Sequence, residues 1–209
     1  VRLGFVSLSQ SFPLRCRVLL VVILWTCMVC MRSFARRKGN AIRRHNFVRD
    51  TIFNVAKSAS IPVRKEQGHL LDGDYGGLRP ADKLFPHWNG GPSLCLDVSI
   101  ADSVSTMHAP WPFVAEEPLT VAHKSKVVKY AALCQARGLR LSPFVCGSLA
   151  GFTDESMDFV KQLGSALSCT SDMSRDVAIA WIYRRVSFAI QKSQAMAMLT
   201  LGELAGVLW

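Results

Sequence analysis

The stretch RPADKLFPHWNGGPSLCLDVSI, residues 79–100, decides the fold. Two short segments rich in apolar residues, ADKLFP and SLCLDVSI, flank an Asn-Gly-Gly turn, which is the pattern of a β-hairpin. Asp82 stands at the head of the first predicted strand, and Asp97 interrupts the second. Burying an unpaired charge is costly, so Asp97 either lies on a solvated edge strand or has a positive partner. If the two strands pair, both carboxylates converge on one end of the sheet.

The sequence around the hairpin predicts one α/β domain over residues 38–209, with the element order α-βββ-α-β followed by C-terminal helices. Apolar residues at helical spacing predict a helix over 41–60 and another over 119–138. Strands are predicted within 61–67 and 139–147, and two helices follow Thr153 and Ser174. No P-loop and no dinucleotide-binding fingerprint is present in the sequence.

Charge is distributed unevenly along the chain, whose formal net charge is +10. Residues 1–49 contain ten Lys and Arg and no Asp or Glu, whereas residues 50–209 contain 15 of each sign. This excess predicts an anionic partner for the N-terminal part, either nucleic acid or a membrane surface. The basic segment 36–49 is the part expected to steer a DNA duplex.

Residues 1–37 form a separate apolar and basic N-terminal segment, which contains the apolar run VLLVVILWTCMVCM at 18–31. The run has 14 residues, where a membrane-spanning helix needs about 20. We expect this segment to be disordered, with a short signal anchor as the alternative. The seven scattered cysteines of the chain predict reduced thiols in an intracellular protein.

The two carboxylates suggest a metal site. Because like charges held together repel each other, Asp82 and Asp97 are candidate ligands for Mg²⁺ or Mn²⁺. Glu66 is a candidate third ligand, with a surface ion pair as the alternative. Lys126 and Tyr130 lie one turn apart on the following helix, and a lysine beside the metal would stabilise a phosphate under attack. The alternative is a turn cap at Asp82, a solvated strand at Asp97 and an ordinary exposed helix face at the lysines.

The order α-βββ-α-β, with RPAD, LDVS and KVVKY, resembles the PD-(D/E)XK restriction-like nuclease superfamily. More narrowly, residues 38–200 resemble the restriction-like endonuclease domain that follows the reverse transcriptase in site-specific non-LTR retrotransposon polyproteins. Such domains begin with an Arg-His-Asn-type helix, matched here by Arg44, His45 and Asn46. Two departures stand out: Ala81 separates Pro80 from Asp82, and Ser99 replaces the lysine that is frequent in the superfamily.

The resemblance implies a Mg²⁺-dependent endonuclease that nicks target DNA for retrotransposon integration in the nucleus. Asp82, Asp97 and Glu66 would hold the metal, and Lys126 or Lys129, beside Tyr130, would assist catalysis. Its partners would be DNA, the element RNA and the reverse transcriptase domain of a parent polyprotein. The alternative is a catalytically dead nucleic-acid-binding remnant, or a membrane-anchored protein if residues 18–31 are a genuine anchor. The residues expected to contact DNA are Arg43, Arg44, His45, Arg49, Arg79, Arg184 and Arg185.

The resemblance also suggests an origin for residues 1–37. Members of the family carry a Cys-Cys-His-Cys zinc knuckle upstream of the Arg-His-Asn helix, and no such knuckle is visible in this sequence. Back-translation of residues 24–35, read two nucleotides later, permits the knuckle-like sequence DMYGVHALVC. We therefore expect residues 1–37 to be a frameshift artefact. Sequencing of the source DNA tests this, since an indel near the codons for residues 36–38 should restore the knuckle.

Overall fold

The computed structural model describes residues 38–65, 70, 81–101, 117–148 and 151–204. Residues 1–37, together with Glu66 and Arg79, lie outside the described part of the chain. The helices and strands are α1 (Lys38–Ser58), β1 (Arg64–Lys65), β2 (Lys83–Phe85), β3 (Leu94–Ala101), α2 (Glu117–Ala136), β4 (Arg140–Gly147), α3 (Asp154–Thr170) and α4 (Arg175–Leu204). The predicted α/β class is confirmed.

The described strands form a four-stranded mixed sheet in the order β1-β2-β3-β4. Strands β1, β2 and β3 are antiparallel neighbours, whereas β3 and β4 run parallel. A parallel pair needs a long crossover, which contains α2. The predicted hairpin is confirmed, with Lys83 paired to Leu96. Its turn contains a 3-10 segment at Trp88–Gly90, where Asn89 and Gly90 adopt positive φ angles of 50° and 74°.

Alternate residues of β3 face opposite sides of the sheet, as the twofold repeat of a strand requires. Leu94, Leu96 and Val98 enter the main hydrophobic core, to which α1, α3 and α4 also contribute. Cys95 faces the other way and packs with Tyr130 and Cys134 of α2. Both faces of β3 are therefore covered by helices, and β3 is an interior strand rather than an edge.

Local capping interactions determine where the helices next to the sheet begin and end. Gly138 follows α2 with a φ angle of 64°, and the Leu139 N–H donates to the Cys134 carbonyl oxygen over 2.9 Å. This glycine-terminated end leads directly into β4. The Thr153 hydroxyl accepts a hydrogen bond from the Ser156 N–H over 3.3 Å, as predicted for the N-cap of α3.

Within the described ranges, none of the helices is both long enough and apolar enough to cross a membrane. The apolar run 18–31, on which the signal-anchor alternative depends, lies outside these ranges.

Candidate active site

The hairpin brings Asp82 and Asp97 to the same place. Asp82 precedes β2, and its N–H donates to the Leu96 carbonyl oxygen over 3.0 Å. Continuing the register of Lys83 with Leu96 by one residue sets Asp82 opposite Asp97. The two side chains are close enough for Asp82 to raise the pKa of Asp97 through both charge and a side-chain hydrogen bond. The convergence predicted from the sequence is therefore present in the fold.

Asp82 accepts two hydrogen bonds at one carboxylate oxygen. The Val98 N–H of β3 donates to Oδ2 over 2.8 Å, and His45 Nε2 of α1 lies 2.9 Å from the same oxygen. Burial raises the pKa of Asp82, but His45, the Val98 N–H and the charge of Lys126 outweigh it, so the net direction is downward. The pKa of His45 is raised by its hydrogen bond to Asp82, against the opposing effect of burial. Asp82 is thus held ionised and oriented.

Asp97 lies deeper, with 5% of its surface exposed. Burial, followed by the neighbouring Asp82 charge, raises its pKa to about 6, although Lys126 acts in the opposite direction. The Lys126 Nζ lies 2.7 Å from Asp97 Oδ2. That oxygen nevertheless has no well-directed hydrogen bond from the described residues. Asp97 therefore has a positive partner, and the alternative of a solvated edge strand is wrong.

Helix α2 places the two candidate lysines in different surroundings. Lys126 reaches Asp97, whereas Lys129 is exposed and places its Nζ 4.9 Å from the centre of the Tyr130 ring. The contact with Tyr130 raises the pKa of Lys129. Tyr130 is buried against Cys95 and Cys134, with Lys126 Nζ 5.9 Å from its ring centre. Of the two lysines, Lys126 is the one in contact with a carboxylate.

The arginines of α1 that were predicted to contact DNA differ in their surroundings. Arg43 is exposed, and Arg49 Nε lies 3.2 Å from Asp50 Oδ1. Arg44 is only 6% exposed, and its Nε has no hydrogen-bond partner among the described residues. Arg44 therefore does not present itself to a ligand at the protein surface, because its side chain is enclosed where α1 packs on the sheet.

Arg184 and Arg185 of α4, which were predicted to contact DNA, are exposed. The Arg185 guanidinium lies 4.5 Å from the centre of the Trp181 ring on the same helix. The role of Arg184 and Arg185 in contacting phosphates stays a prediction, as do the roles of Glu66 and Arg79, which lie outside the described residues.

A metal ion can be tested against the donors that are described. Mg²⁺ typically takes one or two carboxylates and completes its shell with water and phosphate oxygens. Asp82 and Asp97 supply such a pair, and Lys126 Nζ occupies the position 2.7 Å from Asp97 Oδ2. Within the described ranges there is no group of three or more His, Cys, Asp and Glu side chains suited to a metal. The pair therefore fits Mg²⁺ or Mn²⁺ bound largely through water.

Sequence reasoning did not find the contact between His45 and Asp82. The sequence predicted a helix-face or DNA-facing position for His45, and the structure brings its ring to the Asp82 carboxylate. A contact between His45 and DNA stays a prediction. The position of His45 in the Arg-His-Asn stretch is the only sequence feature that singled it out.

In comparisons with known proteins, no family model and no curated protein matches the chain.

Proposed function

We propose that this protein is a Mg²⁺-dependent DNA endonuclease with a restriction-endonuclease-like core, which nicks target DNA for retrotransposon integration. The observation that carries the proposal is the pairing of Asp82 and Asp97 across the hairpin with Lys126 beside them. Two carboxylates with a lysine can support metal-assisted phosphodiester hydrolysis, because the carboxylates can bind the ion and the lysine can stabilise the negative charge on the phosphate.

Each side chain has a role in this proposal. Asp82 and Asp97 would hold the ion, with Glu66 as a further ligand, and the bound Mg²⁺ would supply Lewis-acid polarisation of the phosphate. Lys126 would turn from Asp97 towards the scissile phosphate and stabilise its added negative charge. Tyr130 packs below Lys126 and orients α2 on the sheet. His45 fixes the Asp82 carboxylate through its 2.9 Å contact.

The element order along the described residues supports the restriction-endonuclease-like assignment, because α1 precedes three strands and α2 connects β3 to β4. On this proposal DNA is the substrate, element RNA and a reverse transcriptase domain are partners, and the protein acts in the nucleus. The basic excess of the first 49 residues supports an anionic partner.

A plasmid-nicking assay tests the proposal on the full chain. Supercoiled plasmid is incubated with about 5 mM MgCl₂ or MnCl₂. A separate sample with EDTA serves as the metal-free control. Wild-type protein should produce open-circular DNA only with metal, and Asp97→Asn and Lys126→Met should not. Lys124→Met is the matched control, because Lys124 is an exposed lysine on the same helix. Nicking by Asp97→Asn at the wild-type rate would contradict the proposed site.

One observation favours the second candidate function, a catalytically dead nucleic-acid-binding remnant. Both carboxylates already have partners within the protein, since Asp97 contacts Lys126 and Asp82 contacts His45. Such internal pairs are also typical of a purely structural polar network. A remnant would bind DNA with strong salt dependence and leave the plasmid supercoiled at every metal concentration.

A further inference from the structure

Lys83 carries a charge whose surroundings the nuclease site does not explain. It directly follows Asp82 but lies on the opposite face of the sheet, on the side of α1, with Phe85 two residues further along the strand. Its side chain is fully buried, and its Nζ has no hydrogen-bond partner among the described residues. Its Nζ lies 5.0 Å from the centre of the Phe53 ring. A buried ammonium group without a hydrogen bond is costly and rare.

The carboxylate nearest to Lys83 is shared with two other cations. Asp50 Oδ1 lies 3.9 Å from Lys83 Nζ, which is too far for a hydrogen bond, and 3.2 Å from both Arg49 Nε and Lys65 Nζ. Three cations therefore surround one carboxylate. Burial, together with the positive charge of Arg49, lowers the pKa of Lys83 to about 8.

A groove of about 600 Å³ runs along α1 beside this cluster. Asp50 is common to both, because it lines the groove and lies 3.2–3.9 Å from the three cations, which sit beside the groove and do not line it. The other groove residues include a cation, two amides and an aromatic ring: Arg43, Asn46, Asn54 and Phe47. Cations and amides are the usual donors to phosphate oxygens, and an aromatic ring can stack on a base.

We propose that Lys83, Lys65 and Arg49 form a subsite for a phosphodiester group of a nucleic-acid strand that lies in the groove along α1. The subsite is separate from the Asp82–Asp97 pair and takes from the proposed function only that the ligand is nucleic acid. In the free protein Asp50 holds the three cations together. A phosphate oxygen supplies the hydrogen-bond acceptor that the Lys83 ammonium group lacks among the described residues.

The ligand reaches Lys83 by moving the side chains that cover it. Those of Lys65 and Asp50 are 46% and 41% exposed, so both can turn into solvent without breaking core packing. When Asp50 turns away, the negative charge that competes with the phosphate leaves the subsite. Asp50 therefore weakens binding, and Lys83 strengthens it.

DNA binding by the full chain tests the inference without any catalytic step. Binding of a fluorescently labelled DNA duplex of about 30 base pairs is followed by fluorescence anisotropy in EDTA over a series of salt concentrations. Lys83→Met should weaken affinity about tenfold and reduce the log–log salt slope by about 0.9, as for one lost phosphate contact. Asp50→Asn should tighten binding several-fold. A purely structural ion pair between Asp50 and Lys83 would not produce opposite effects.

Asp158 and Lys161 supply the matched controls. They form an exposed 2.8 Å pair on α3, so Lys161→Met and Asp158→Asn make the same chemical changes away from the groove. If the Lys83 and Asp50 variants match these controls in affinity and slope, the inference is wrong. If the Lys83→Met variant does not fold, the DNA affinity of Asp50→Asn alone tests the inference. Because EDTA abolishes metal-dependent cleavage, failure of the nicking assay would overturn the proposed enzyme and leave this result unaffected.

Discussion

Asp97 and Lys83 lie on the neighbouring strands β3 and β2, and both are buried charges, with 5% and 0% of their surfaces exposed. Burial shifts the pKa of each towards its neutral form, to about 6 for Asp97 and about 8 for Lys83. They differ in their partners. Asp97 has Lys126 at 2.7 Å, whereas the carboxylate nearest to Lys83 is 3.9 Å away and is shared with Arg49 and Lys65.

On our proposals, this difference gives each face of the sheet a different ligand. On the face of α2, negative charge is concentrated, and the flexible Lys126 balances it from a neighbouring helix. On the face of α1, three described cations, Lys83, Lys65 and Arg49, lie 3.2–3.9 Å from the partly exposed Asp50 carboxylate. The first face suits a cation and the second an anion, although the two residues are only one strand apart.

The largest expected effect concerns the face of α2. Asp97→Asn should lower the rate of plasmid nicking about 100-fold or more, because one of only two described carboxylates at the site loses its charge. The rate is measured as the appearance of open-circular DNA with Mg²⁺. Asp158→Asn, which alters an exposed aspartate on α3, should nick at the wild-type rate. If both variants lost nicking activity equally, Asp97 would have no specific role in the active site.

The next effect is on the face of α1. Lys83→Met should raise the free energy of unfolding by about 3 kcal/mol at pH 7, because the fold no longer buries an ammonium group. The pKa of Lys83 falls from 10.5 unfolded to about 8 folded, so its charge destabilises the fold below pH 8. This penalty disappears as the pH rises from 8 to 10.5. Urea denaturation at pH 7 and pH 10 measures the difference between variant and wild type, which should close.

The opposite change in stability is expected if an interaction partner stabilises the charge of Lys83 in the folded protein. In that case Lys83→Met would lower the free energy of unfolding at pH 7, and the contrast with Asp97 would be lost.

The expected effect of Asp97 on stability is slightly smaller, and it appears as the pH rises instead of disappearing. Its pKa rises from 3.8 unfolded to about 6 folded, so its contribution to stability is complete below pH 3.8 and is lost as the pH rises through 6. Asp97→Asn should therefore match wild type near pH 4 and exceed it by up to about 3 kcal/mol near pH 7. Chemical denaturation in EDTA measures this. Adding Mg²⁺ should then raise the melting temperature of the wild type but not of the variant.

The smallest effect concerns His45, which orients Asp82. The raised pKa of His45 means that its charged form stabilises the fold below pH 6.5 and that this contribution is lost as the pH rises through the raised value. Since both side chains are partly exposed, His45→Gln should cost about 1 kcal/mol at pH 5.5 and less at pH 9. Thermal melts at the two pH values measure it. A cost that does not change with pH would mean that His45 acts through packing rather than charge.

Much of the fold could be predicted from the sequence because its determinants are local. The Asn-Gly-Gly turn specified the hairpin, Gly138 and Thr153 marked helix ends, and apolar spacing located the helices to within a few residues. The meeting of Asp82 with Asp97 was also predictable, since pairing of the two strands follows from the short turn between them.

The rest of the site could not be predicted because its contacts join distant segments. Lys126 and Lys129 lie three residues apart on one helix, and only the packing of α2 on the sheet turns the first towards Asp97 and the second towards solvent. His45 meets Asp82 across 37 positions of sequence, so no local pattern indicated the contact.

The sequence by itself determined the element order, the hairpin and the presence of two carboxylates near one end of it, since each depends on residues close together in the chain. Only the tertiary structure decided which charges are buried. Asp82, just before β2, and Lys83, its first residue, lie on opposite faces of the sheet, and a sheet with one solvated face would expose one of them. Helices cover both faces here, so Lys83 is fully buried and Asp82 is half-buried, and each depends on the partners that the helices bring.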